Sequence, residues 1–171
     1  MIGFMVLCAP RSGSAWAANL LTTDTTLCLH DPLGRYHYTE LDQIRSTKRI
    51  GVACTALALF PQYVNQHPAP KVILHRPFEE VNASLLAMGG PPLPLMWDGA
   101  LDKIEGMHLP WTAMFTDPKA MYRHLLGKEL DEERWEELLR LNIQFAPEKA
   151  TVNPVAARRF FADLAAKGRA Q

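Results

Sequence analysis

"VLCAPRSGSAWAANLL", residues 6–21, decides how the chain is read. An apolar run stops at Ala9-Pro10 and gives way to Arg11-Ser12-Gly13-Ser14. The chain then restarts as an alanine-rich segment with Trp16, Leu20 and Leu21 on helical spacing. A short continuous apolar run bounded by proline predicts a strand covered on both faces, here over residues 2–8. The restart predicts a helix over residues 14–21. The polar residues between them are either an ordinary connection or a place where backbone donors are bared for an anion. The anion reading has the stronger physical case. Loop amides and a helix start converge on one spot, Gly13 permits close backbone approach, Ser12 and Ser14 add hydroxyls, and Arg11 adds a permanent charge. The end of a first strand is also where α/β sheets bind ligands.

Working outward, the alternation repeats. Strands are predicted at 27–30, 49–54, 71–74 and 109–115, and helices at 38–45, 55–66, 78–88 and 117–126, the last closed by Gly127. Asp131 opens a further helix that is acidic in its first turn. Residues 149–171 are read as a C-terminal helix, begun by Asn153-Pro154, and a tail. The stretch from Gly89 to Asp98, rich in glycine and proline, is the best loop or lid candidate. Short apolar strands alternating with helices predict an α/β fold: a single domain over residues 1–171, a three-layer sandwich whose short central parallel sheet is flanked by helices.

Composition narrows the function classes. The 171 residues are 48% hydrophobic and 21% charged, and 18 basic residues balance 18 acidic ones. A nonspecific nucleic-acid binder carries a basic surplus, so no nucleic-acid partner is expected. No run is long and apolar enough for a membrane span. The first nine residues resemble a signal-peptide core but lack a basic leader, so a buried first strand and a cytoplasmic protein are expected. Cys8, Cys28 and Cys54 are odd in number, and no pair has metal-ligand spacing; buried free thiols and no metal are the expectation.

The loop is not the NTPase one, which needs G-x-x-x-x-G-K-[ST]; Gly13 is followed by Ser14-Ala15, without a lysine. That argues against a nucleotide or metabolite kinase. Pro10-Arg11-Ser12-Gly13-Ser14 followed by Trp16 instead resembles the 5′-phosphosulfate loop of the PAPS-dependent sulfotransferases, which are P-loop proteins. The likeness continues in "KVILHRPFEEVNAS", where Arg76 and Ser84 stand eight residues apart, as in that family's 3′-phosphate motif. It extends to "FTDPKAMYRHLLGKELDEERWEELL", similar to the family's C-terminal helices, and covers roughly residues 2–145 in order.

The resemblance implies sulfonate transfer from PAPS, leaving PAP, to a hydroxyl or amine on a small-molecule or glycan acceptor. It implies Arg11 as the catalytic cation, with Arg11, Ser12, Gly13, Ser14, Arg76 and Ser84 holding the nucleotide. Trp16 either lies against the adenine or belongs to the core. For the general base, His30 and Asp31 stand at the end of the second strand, where family members carry one, and Glu40 is a further candidate. Three departures stand out. Ala15 replaces a second hydroxyl residue, a loss of about 1.5–3 kcal/mol of charge-assisted hydrogen bonding. Arg76 and Pro77 are adjacent, where the family separates them. No Arg-Lys-Gly motif closes the 3′-phosphate site. These departures equally suit a catalytically silent PAP-binding or protein-interaction module on the same fold. Neither the acceptor nor the oligomeric state is legible.

Overall fold

The computed structural model describes residues 1–141. Five strands, β1 (Phe4–Cys8), β2 (Thr26–His30), β3 (Arg49–Cys54), β4 (Lys71–His75) and β5 (Met107–Pro110), form one all-parallel sheet in the order β2-β3-β1-β4-β5. Six α-helices accompany them: α1 (Ser14–Leu20), α2 (Pro61–Gln66), α3 (Phe78–Ala87), α4 (Ala113–Thr116), α5 (Lys119–Leu126) and α6 (Glu132–Arg140). The expected helix from Asn153 lies outside the described residues. No helix among the described residues is long and apolar enough to cross a membrane.

Strand periodicity sorts the core into two clusters. Met5, Leu7, Ile50, Val52 and Ile73 face one side, where Val64 of α2 and Val81 of α3 cover them. Phe4, Val6, Cys8, Val72 and Leu74 face the other, under Leu20 of α1, Leu125 of α5 and Leu138 of α6. All five β1 residues are fully buried, as the apolar run predicted. Cys8, Cys28 and Cys54 are free and buried.

Three expected elements differ. The segment predicted as a helix over 38–45 is a 3₁₀ turn, Tyr38–Gln43, capped by His37. The His37 N–H donates to Glu40 Oε2 at 2.8 Å, so the acid closes the turn on itself. The helix predicted over 55–66 breaks into a 3₁₀ turn, Ala56–Leu59, and α2. Pro61 has no N–H to donate and drives Phe60 out of helical geometry, to φ −122° and ψ 57°. The last strand lies at Met107–Pro110, not 109–115, and residues 113–116 are helical. Its partner β4 ends at His75 before Pro77, so no ladder exists beyond Pro110 for a longer strand to join.

The topology places the opening loop at a crevice. The chain leaves β1 into α1 on one face of the sheet, and leaves the adjacent β4 into α3 on the opposite face. Loops that part in this way at the carboxyl ends of neighbouring strands leave a gap between them, the usual ligand position in open α/β sheets.

Candidate functional site

The loop after β1 takes an uncommon backbone path. Arg11 has φ 62° and Gly13 has φ 88°, so two of three consecutive residues are left-handed. Such alternation turns successive N–H groups toward one concavity. The amides of Arg11, Ser12 and Gly13 meet no acceptor among the described residues. The non-glycine conformation at Arg11 is held from outside, because Arg76 Nη1 donates to the Arg11 carbonyl. Arg76 in turn lies 4.3 Å over the Trp111 ring and donates to Glu80 Oε2 at 3.3 Å, one helical turn further on.

The two sequence motifs meet directly. Arg11 Nε donates to Ser84 Oγ at 3.2 Å, so the loop after β1 and helix α3 share one contact across the crevice. Beyond that bond, the Arg11 guanidinium meets no carboxylate among the described residues. Two guanidinium groups and three bare amides thus outnumber the one half-exposed carboxylate, Glu80, which pairs with Arg76, a balance that favours an anion.

Each predicted residue has a definite place. Ser12 is fully buried and its hydroxyl turns back toward the Pro10 carbonyl at 3.4 Å, so its amide rather than its side chain faces the concavity. Ser14 lies on the inner side of the loop. Its hydroxyl is 3.0 Å from His30 Nε2. Its hydroxyl and N–H also hydrogen-bond the Cys8 thiol. Burial above all, with the Asp31 charge, pushes that thiol far above its ordinary range despite those bonds, so Cys8 is inert. Trp16 is 7% exposed and meets Phe115 edge-on at 4.9 Å, which places it in the core.

At the end of β2, His30 Nε2 lies 3.1 Å from Asp31 Oδ2. A carboxylate only accepts, so this nitrogen donates to it. Asp31 has φ 41°, a conformation aspartate tolerates better than most residues. Its other oxygen accepts from Thr55 N at 2.7 Å and Thr55 Oγ1 at 3.0 Å. Asp31 thus fastens the ends of β2 and β3 together and orients His30. Glu40, bound to the His37 amide, belongs to the 3₁₀ turn.

Sequence reasoning missed Trp111, Thr55 and a histidine pair beside Arg76. His108 Nε2 faces the Ile104 carbonyl at 2.8 Å and must donate, leaving Nδ1 to accept from His75 Nε2 at 2.7 Å. The rings stack at 5.0 Å, and His75 Nδ1 lies 3.7 Å from Asp102. The signal available was the parallel register, which pairs Ile73 with His108 and His75 with Pro110; it follows from no local spacing. Comparison with protein-family models, curated proteins and solved structures finds no match to this chain.

Proposed function

We propose that the crevice between β1 and β4 binds the phosphates of PAP or PAPS and that the protein transfers a sulfonate to a hydroxyl or amine acceptor. The observation that carries the reading is the junction of both motifs: bare amides at Arg11–Gly13, with Arg11 bonded to Ser84 and braced by Arg76. The donors present fit an anion. The 5′-phosphate side falls to the amides and Arg11, and the 3′-phosphate side to Arg76 and Ser84. Trp16, covered by Phe115, offers no free face for the adenine in this arrangement.

Bound PAPS would supply a sulfonate on a phosphate leaving group. The chain's own contribution is positioning and charge. Arg11 and the loop amides stabilise negative charge on the departing phosphate oxygen as its bond to sulfur breaks and the acceptor's bond forms. His30 takes the acceptor's proton, while Asp31 and Ser14 orient the ring. A second reading, nucleotide binding without transfer, is favoured by Ala15 and by the engagement of Ser14 with Cys8 and His30.

Calorimetric titration with PAP, and separately with Mg·ATP, tests the reading. Micromolar PAP binding that needs no Mg²⁺ is expected. Arg11→Ala is expected to weaken it roughly ten- to a hundredfold, the worth of one charge-assisted hydrogen bond. Absence of PAP binding overturns the proposal. PAP binding with no PAPS turnover across an acceptor panel, unchanged in His30→Ala, selects the silent reading.

A further inference from the structure

Exposed apolar side chains concentrate in the last turn of α3 and just after it: Leu86 is 58% exposed, Met88 43%, Leu95 82% and Met96 51%. No charged residue lies between Glu80 and Asp98. Within this stretch, Gly90-Pro91-Pro92-Leu93-Pro94 forms neither helix nor strand. Its three prolines fix their own φ near −65°, and each drives the residue before it into extended geometry. Pro94, at φ −59° and ψ 145°, is in the polyproline II conformation.

With three residues per turn, a polyproline II segment has three edges. Leu93 is 8% exposed, and its N–H donates to Asn82 Oδ1 of α3 at 2.7 Å, so one edge is fastened to the protein. The other two run outward, one through Pro91 and Pro94 and one through Pro92, all three exposed, before a 3₁₀ turn begins at Leu95. The carbonyls of Pro91, Pro92 and Leu93 accept no hydrogen bond among the described residues.

From this geometry we infer that residues 90–94 are a docking ligand for a protein domain with an aromatic-lined groove built for polyproline II helices. Flat aromatic rings receive the two proline edges, and ring N–H and O–H groups of the groove satisfy the bare carbonyls. The lack of charge along the stretch suits such a groove, and Asp98 meets a basic residue at its rim. Because Leu93 already holds the segment in place, little ordering remains to be done on binding. A second copy of the chain is a poor occupant, since the prolines offer no N–H to the facing carbonyls. A membrane is a poor one too, since the stretch has no basic residue for anionic headgroups.

The test is titration of the full chain with three purified probes, an SH3, a WW and an EVH1 domain, by calorimetry and sedimentation. At least one is expected to bind with a micromolar Kd. The double substitution Pro91→Ala, Pro94→Ala is expected to weaken that binding at least about tenfold while leaving the circular dichroism spectrum and thermal midpoint unchanged. No binding by any probe overturns the inference, as does binding indifferent to the double substitution. Concentration-dependent dimerisation abolished by the same substitution also overturns it, by making a second copy the occupant.

Discussion

Gly13 carries two constraints at once. Its φ of 88° is left-handed, and a Cβ there would come within 2.3 Å of Met114 Cε. The methionine tip can swing aside; the backbone cannot. Forcing an L-residue into this conformation costs roughly 1–2 kcal/mol. Gly13→Ala is therefore expected to lower the unfolding free energy by about that amount, read from urea denaturation. An unchanged stability would show that the loop relaxes to another path. At this scale the sequence located the site residues better than it assigned their parts. Arg11, Arg76 and Ser84 do meet, because β1 and β4, three strands apart in the chain, are neighbours in the parallel sheet. Ser12 looked like a hydroxyl donor from its type, yet its side chain is buried, since a tight turn must aim alternate groups inward.

Among the elements, the buried strands and the helices expected at 14–21, 78–88 and 117–126 were legible, whereas the segments at 38–45, 55–66 and 109–115 were not. β1, β3 and β4 stand where continuous apolar runs placed them, because a strand covered on both faces has no polar side. Gly51 of β3 shows how closely two of them fit. The Phe4 ring of β1 occupies the space of the missing side chain, so that a Cβ would lie 2.0 Å from Phe4 Cε2. That ring is fully buried and has nowhere to go. Gly51→Ala is expected to destabilise by roughly 1–3 kcal/mol, as overpacking of a core does, and Gly51→Ala combined with Phe4→Leu to recover part of the loss. Thermal melts check both. The helix expected over 55–66 failed at Pro61, a signal present in the sequence and outweighed there by apolar periodicity. The strand expected at 109–115 had no such signal, because its length is set by where β4 ends.

The whole molecule carries a pH dependence assembled from distant parts. Burial opposes the charge on Asp42, but the Ile2 N–H, His67 and the terminal ammonium outweigh it, so the carboxyl lies below its ordinary 3.8. Burial first, then neighbouring His108, holds His75 below its ordinary 6.5 against the pull of Asp102. In both cases the unfolded chain takes up a proton before the folded one does. The stabilisation is thus complete above the ordinary value and is lost as pH falls toward the folded one. Calorimetry is expected to show the melting midpoint descending below about pH 6.5 and again below about pH 4, the first step absent in His75→Gln and the second reduced in Asp42→Asn. A midpoint flat between those values would mean that His75 titrates alike in both states. Neither group was legible as special, since their partners are far away in the chain. By itself the sequence determined the α/β class, the buried strands and the loop after the first of them, because these follow from local hydrophobic period and turn chemistry. Only the tertiary structure decided the strand order, the meeting of Arg11 with Ser84, the brace of Trp111 under Arg76 and the histidine pair. Such contacts depend on which strands become neighbours, and that choice is made by packing over the whole sheet.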